Sequence, residues 1–389
     1  MFVDISSGSV NCHGERICGD TFMQRYIPNQ RRTVAVLSDG MGHGIKANIL
    51  STLTASIIVN MGQANEPIRA VADMMVKTLP VCAVRGISYS TFTIIDVNHT
   101  TSEVHILEYD NPQTIVLRGG VPMDLQWDST IIESQQHKRQ TLLMCLFKAR
   151  IGDRIICCSD GVTQSGLGTG HYPFGWGRKN LLDDVVQAVQ VNSAISSSEL
   201  SLHVLRRAMD NDIQRSKDDI SCAVVTFRAA RRLLLCSCPP VIASDANHVA
   251  QRVTQYPGQS IICGYLLATM VAKSLGREIR RNLTSTDPEL PPLWFIEGVD
   301  LVTEGLLTLS KVVDILDSYD ECPTGRGPAY RIVRMVMASD EIEMIIGMKE
   351  QGDPLGDIAD NYVLRRKLLE KIARLMEVKY HKRIIKIYQ

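Results

Sequence analysis

Eight short runs of alternating, β-branched residues fill the first 228 positions, and they follow one another with little helix between them. They are FVDIS (2–6), TVAVLSD (33–39), STFTIIDV (90–97), EVHILEYD (103–110), TIVLRG (114–119), QTLLMCLF (140–147), RIICCSD (154–160) and DISCAVVTF (219–227). Alternation with this residue content favours strands over helices. Helical spacing appears over 45–61, 66–79, 179–189 and 198–209, in two pairs. Strands in succession with paired helices predict an α+β fold, a β-sandwich flanked by helices, and not a doubly wound parallel sheet.

Near residue 228 the texture changes. RAARRLLLCSCPP carries a basic cluster, ends on paired prolines and reads as a boundary between a first domain (1–228) and a second (229–389). A chain of 389 residues, 45% hydrophobic, is long enough for two cores. Beyond the boundary QSIICG (259–264), WFIEG (294–298) and EIEMIIGM (341–348) alternate with helical stretches, the last over 362–378 with Leu364, Leu368, Ile372 and Leu375 in register. A second, smaller α/β domain is expected. Its basic tail, 365–386, reads as the wet face of that helix.

Bulk properties exclude some partners. The 42 Lys and Arg balance the 42 Asp and Glu, so no net field draws the chain to nucleic acid. No apolar run nears the ~18 residues of a spanning helix, and MFVDISSGSVNCHGE lacks the regions of a signal peptide. Eleven cysteines include no C-x-x-C pair, which argues against a zinc ribbon or redox motif. Neither nucleic acid nor membrane is expected as a partner, and the cytoplasm is the expected location.

The stretch LSDGMGHGIKA (37–47) admits two chemistries. A strand, glycines and a helix form the layout of a phosphate-binding turn. The dinucleotide fingerprint, however, needs G-x-G-x-x-G, whereas Gly40, Gly42 and Gly44 give G-x-G-x-G behind an aspartate. The other chemistry is a carboxylate presented to a hard divalent cation, which wants several oxygen ligands. More aspartates at strand boundaries are then needed, and they are present. IICCSDG (155–161) repeats the S-D-G of VAVLSDG (34–40), Asp20 stands in RICGDTF, and Asp218 and Asp219 stand in SKDDIS. A lone D-G is usually a turn. Four such clusters in one β-rich domain point to metal.

In this order, G-D, D-G-M-G-x-G, S-D-G-V and D-D-I-S resemble the metal-dependent serine/threonine phosphatases of the type 2C superfamily, and the D-G-M-G form resembles the bacterial stage II sporulation protein E branch. The resemblance covers about 1–228. It implies an α-β-β-α sandwich with two divalent cations, Mn²⁺ or Mg²⁺, between the sheets. It implies that Asp39 bridges both, that the Gly40 carbonyl ligates one, that Asp160 and Asp218 ligate the other, and that Asp20 acts through water. Asp219 is a weaker ligand candidate. The glycine before Asp20 replaces an acidic residue of many relatives. The implied activity is hydrolysis of phosphoserine or phosphothreonine in a protein by a metal-activated water. A catalytically silent phosphoprotein-binding module is the alternative. His43 is a candidate proton donor to the leaving oxygen, Arg16 a candidate phosphate holder, and Trp176 and Arg178, in HYPFGWGRKNLL (171–182), candidate substrate contacts. GVTQSGLGTG (161–170) reads as a loop beside the metals. The second domain is expected to regulate or bind a partner, and a homodimer is compatible with all of this.

Overall fold

The computed structural model describes residues 1–79, 90–133, 140–237, 243–282, 289–318, 325–347 and 356–388. They divide into two compact units, Met1–Ala229 and Ala230–Gln389.

The first unit contains β1 (Phe2–Val10), β2 (Thr21–Ile27), β3 (Arg32–Gly40), α1 (Ile45–Gln63), α2 (Ile68–Thr78), β4 (Ser90–Asn98), β5 (Glu103–Tyr109), β6 (Ile115–Arg118) and β7 (Val121–Pro122). It continues with β8 (Asp128–Ile132), β9 (Gln140–Lys148), β10 (Asp153–Cys158), α3 (Asp160–Gln164), α4 (Gly177–Val191), α5 (Ser197–Asn211) and β11 (Ile220–Arg228). Two antiparallel sheets form, in the orders β2-β3-β4-β5-β9-β8 and β1-β11-β10-β6-β7.

Strand parity builds four layers. Ala35 and Leu37 of β3, Ile95 and Val97 of β4, and Val104 and Ile106 of β5 face inward, where they meet Ile155 and Cys157 of β10 and Ala223, Val225 and Phe227 of β11. The alternate residues face outward. Val34, Val36, Ile94 and Leu107 pack under α1 and α2, and Ile156, Cys158, Cys222 and Val224 pack under α4 and α5. A fully buried aliphatic side chain contributes about 1.5–3 kcal/mol, so a slip of one residue in register would reverse both faces at large cost. The helices have ordinary local causes. The Ser196 hydroxyl and the Glu199 carboxylate close a capping box at the start of α5. This is the α+β sandwich flanked by helices that the strand runs predict.

The second unit contains β12 (Arg232–Ser237), α6 (Ala243–Gln255), β13 (Gln259–Cys263), α7 (Tyr265–Ser274), β14 (Arg280–Arg281), β15 (Trp294–Phe295), β16 (Leu301–Thr303), α8 (Leu306–Ser318), α9 (Pro328–Ala338), β17 (Glu341–Ile346), α10 (Gly356–Val378) and β18 (Arg383–Tyr388). Its sheet runs β14-β15-β16-β13-β12-β17-β18. The five strands from β16 to β18 are parallel, and the short β14 and β15 are antiparallel.

RLLLCS, inside the expected boundary segment, is the middle one of the five parallel strands. Leu233 and Leu235 pack under α8, α9 and α10, while Leu234 and Cys236 pack under α6 and α7. A parallel strand covered on both faces needs that continuous apolar run. Two further expectations change. The helix after WFIEG begins at Leu306, beyond the extra strand β16. The basic tail past Val378 is also not helical, because Arg383–Tyr388, with Ile384, Ile385 and Ile387, pairs with β17 as an edge strand. The prolines at 239–240 and the stretch after 347 lie outside the described residues. No described helix is long and apolar enough to cross a membrane.

Candidate metal and phosphate site

The parity that fills the sandwich with Ala35 and Leu37 carries one step further to Asp39, at the end of β3 and opposite Thr91 of β4. Asp160 opens α3 directly after β10, Asp218 stands two residues before β11, and Asp20 stands one residue before β2. Four chain-distant aspartates therefore meet at one end of the inter-sheet space, where the inward residues turn from apolar to polar. Asp39 lies against Asp20 on one side and Asp160 on the other, and the charge of Asp218 reaches it too. The backbone allows this closeness. A Cβ on Gly40 would stand 2.1 Å from the Ala47 carbonyl oxygen, so only glycine lets the first turn of α1 sit on the end of β3. Gly42 and Gly44, at φ 86° and 76°, make the turn between them.

The electrostatics follow from crowding and burial. Asp20 is 6% exposed, and neither of its oxygens has a hydrogen-bond partner. Burial pushes its carboxyl up to about 7, an effect that the nearby Ser221 and Ser159 hydroxyls offset in part without closing a hydrogen bond. Burial and then the charges of Asp20, Asp160 and Asp218 raise Asp39 well above the carboxylate range. Burial raises Asp218 to about 6 and also raises Asp160, whose Oδ2 accepts from the Gln164 amide at 2.7 Å.

Among the described residues no group of three or more His, Cys, Asp and Glu side chains closes into a finished metal cage. The donor set nevertheless fits a hard cation. It consists of carboxylates that cannot all ionise without a counter-charge, one of them buried and unpartnered, beside a carbonyl at Gly40. Burial and the Asp20 charge push the nearby Cys18 thiol up to about 12, so it stays protonated and offers no soft thiolate.

The remaining sequence candidates separate. Asp219 is buried, and its two oxygens accept from the N–H groups of Cys12 (2.9 Å) and Gly19 (2.8 Å), so its carboxylate ties the segment before Asp20 to β11. His43 is exposed and paired through Nδ1 with Glu15 at 2.8 Å. Arg16 is exposed and outside the cavity lining. Trp176 is not available to a substrate. At 2% exposure it packs with Val162 and Leu181 in the core under α4 and α5. The Arg178 guanidinium donates to the carbonyls of Gln113 (3.0 Å) and Thr114 (3.3 Å), which commits it to the loop before β6. The segment from 161 is not all loop, since 160–164 form α3.

Asp39, Asp160 and Asp218 line a cavity of about 690 Å³ that extends over the inner face of the first sheet to Thr91, Glu108, Asp110, Asn111, Thr141 and Leu143. Glu108 and Asp110 are polar residues that sequence reasoning passed over. Parity carries a signal for Glu108, because in EVHILEYD it occupies the inward phase of Val104 and Ile106.

A family model described as stage II sporulation protein E (SpoIIE) matches residues 29–228, just over half of the 389-residue chain. Asp20 lies ahead of the matched stretch. No curated protein matches. Among solved structures, the chain is similar to the PP2C phosphatase domain with a fragment of the regulatory domain of SpoIIE from Bacillus subtilis, at 15% identity and a TM-score of 0.48, over 58% of this chain and 64% of that one. It is similar to RsbX in complex with magnesium, at 15% identity and a TM-score of 0.39, over 58% and 94%. It is also similar to a serine/threonine phosphatase of S. agalactiae, at 15% identity and a TM-score of 0.43, over 58% and 100%. The chain thus spans less than two thirds of the SpoIIE structure it matches.

Proposed function

The chain belongs to the stage II sporulation protein E (SpoIIE) family, and from that premise we propose that it is a metal-dependent protein phosphatase. It hydrolyses phosphoserine or phosphothreonine in a protein substrate by attack of water on phosphorus. The observation that carries this reading is the gathering of Asp20, Asp39, Asp160 and Asp218 at one end of the sandwich, with Asp20 buried and unpartnered.

Asp39, the Gly40 carbonyl, Asp160 and Asp218 would hold two divalent cations of the Mg²⁺ or Mn²⁺ type, with Asp20 behind them. Such ions, when bound, lower the pKa of water and offset charge on the phosphoryl oxygens. The protein's own contribution is placement. Gln164 fixes the rotamer of Asp160 through its 2.7 Å hydrogen bond. Asp219 holds Gly19, and with it Asp20, against β11. His43, oriented by Glu15, stands close enough to Asp218 for its charge to be felt there, and from outside the cavity lining it would hand a proton to the leaving oxygen as that group departs. The substrate's phosphoryl group enters the cavity beside Asp39. The second unit serves as a regulatory or partner-binding element.

The test is phosphate release from phosphoserine and phosphothreonine peptides by the full chain with Mn²⁺ or Mg²⁺. Turnover that needs the cation and falls at least ~100-fold in Asp39→Asn and Asp160→Asn is expected. Cation binding without turnover of any phosphopeptide would instead favour a silent phosphoprotein-binding module.

A further inference from the structure

The cavity beside Asp39 ends in a second acidic corner that the cation-holding groups leave unused. Glu108 points into the inter-sheet space and is 1% exposed. Its Oε1 accepts from the Thr114 N–H at 2.6 Å, while its Oε2 has no partner. A buried carboxylate with an idle oxygen is costly unless a cation or donor arrives. Burial accordingly pushes Glu108 up to about 7. Asp110 stands beside it at the rim, at φ 58°. The next residue, Asn111, is tied to β4, where its amide donates to the Thr93 hydroxyl at 3.1 Å and its carbonyl accepts from Thr91. The turn carrying Asp110 is therefore held in place. Among the described residues, those lining the cavity include no lysine, arginine or histidine. Arg178 donates to the carbonyls of Gln113 and Thr114, so its charge reaches Glu108 without a hydrogen bond to it.

Charge and distance then define the missing partner. Two divalent cations match the four negative charges of Asp20, Asp39, Asp160 and Asp218, which leaves Glu108, reached only by the more distant charge of Arg178, and Asp110 without an ion-pair partner among the described residues. Asp39 is on β3 and Glu108 on β5, two strands away, or roughly 10 Å at the usual strand spacing. An extended peptide advances ~3.3 Å per residue, so about three residues cover that separation, and two suffice where the long stem of a lysine or arginine makes up the rest. We propose that Glu108 and Asp110 bind a basic side chain of the substrate, and that the protein prefers segments with a lysine or arginine two to three residues from the phosphorylated side chain. The proposal rests on the phosphatase reading and names its substrate class.

The test uses phosphoserine peptides in a neutral frame, with one lysine or its uncharged counterpart norleucine walked over the three positions on either side. With the full chain and Mn²⁺, lysine at a position two or three residues away is expected to raise kcat/KM about tenfold over norleucine, the scale of one charge-assisted contact. In Glu108→Gln/Asp110→Asn that ratio should fall to within about twofold. A second arm measures binding of the same peptides by fluorescence anisotropy to the Asp39→Asn chain, where turnover is not needed. The lysine preference should appear there and vanish in the triple variant. Equal treatment of lysine and norleucine at every position, or a preference that survives Glu108→Gln/Asp110→Asn, overturns the proposal. So does a divalent ion lost from the double variant with no lysine preference in the wild type, since the corner would then be a metal site. Lysine-selective binding with no hydrolysis of any peptide would sink the phosphatase reading and leave the basic-side-chain site standing.

Discussion

Removing the charge of Asp20 should make the metal-free protein more stable at alkaline pH, although it removes a group from the proposed centre. Burial pushes this carboxyl up to about 7, against an ordinary value of about 3.9. The folded state thus holds the proton more tightly than the unfolded one. The associated stability is complete below pH ~4, declines as pH rises, and is gone above pH ~7. The difference of roughly three pH units corresponds to about 4 kcal/mol of charge burial borne by the wild type at pH 8. Asparagine keeps the shape and bears none of it. Its amide gives back about 1–3 kcal/mol through imperfect hydrogen bonding near Ser159 and Ser221, which leaves a net gain of about 1–3 kcal/mol. For a domain of this size that is roughly 2–4 °C per kcal/mol. Calorimetric melts of the full chain in EDTA at pH 8 and pH 5 would measure it. Asp20→Asn should raise the first unit's transition at pH 8, lose that advantage at pH 5, and gain less than the wild type from added Mn²⁺. A variant that melts below the wild type at pH 8, or by the same margin at both pH values, would refute the burial argument.

Other substitutions probe the supports of the site. Gly40→Ala forces a methyl to 2.1 Å from the Ala47 carbonyl oxygen; a stability loss of at least ~3 kcal/mol in urea unfolding is expected, together with weakened Mn²⁺ binding by calorimetry. Asp219→Ala leaves the Cys12 and Gly19 N–H groups without their acceptor, which should cost about 2–4 kcal/mol in the same unfolding assay. Trp176→Ala should cost about 3–5 kcal/mol as a cavity mutation, with KM for phosphopeptides unchanged at a temperature where the variant is folded. A shifted KM would place the indole at the substrate. Mn²⁺ at one hundred times its Kd should stabilise the wild type by about 2.7 kcal/mol, read as a rise in melting temperature that EDTA reverses.

How much of this was legible depended on whether a residue's signal was local. The eight strand runs, the paired helices and the four aspartate clusters declare themselves within a few residues, and the first unit has the sandwich they imply. The interior strand RLLLCS is obscured because a parallel strand buried on both faces has no alternation, and its basic lead-in and trailing prolines look like a linker. The edge strand at 383–388 was obscured for the opposite reason. Its lysine and arginine continue the charge of the preceding helix, while its isoleucines pair with β17 only in three dimensions. Trp176 looked like a loop aromatic because nothing within HYPFGWGRKNLL indicates that Val162 and Leu181 close over it. Glu108 carries a signal of a different kind, set by strand phase. The motifs drew attention to aspartates beside glycines, yet the phase that places Leu37 in the core also places Asp39 in the cleft. The same phase, followed along EVHILEYD through Val104 and Ile106, ends on a carboxylate. A charged residue on the buried phase of a strand has no packing reason to be there. Register then sets it beside Thr93 and Leu143, two strands from Asp39, which is where a side chain flanking the phosphorylated residue would lie.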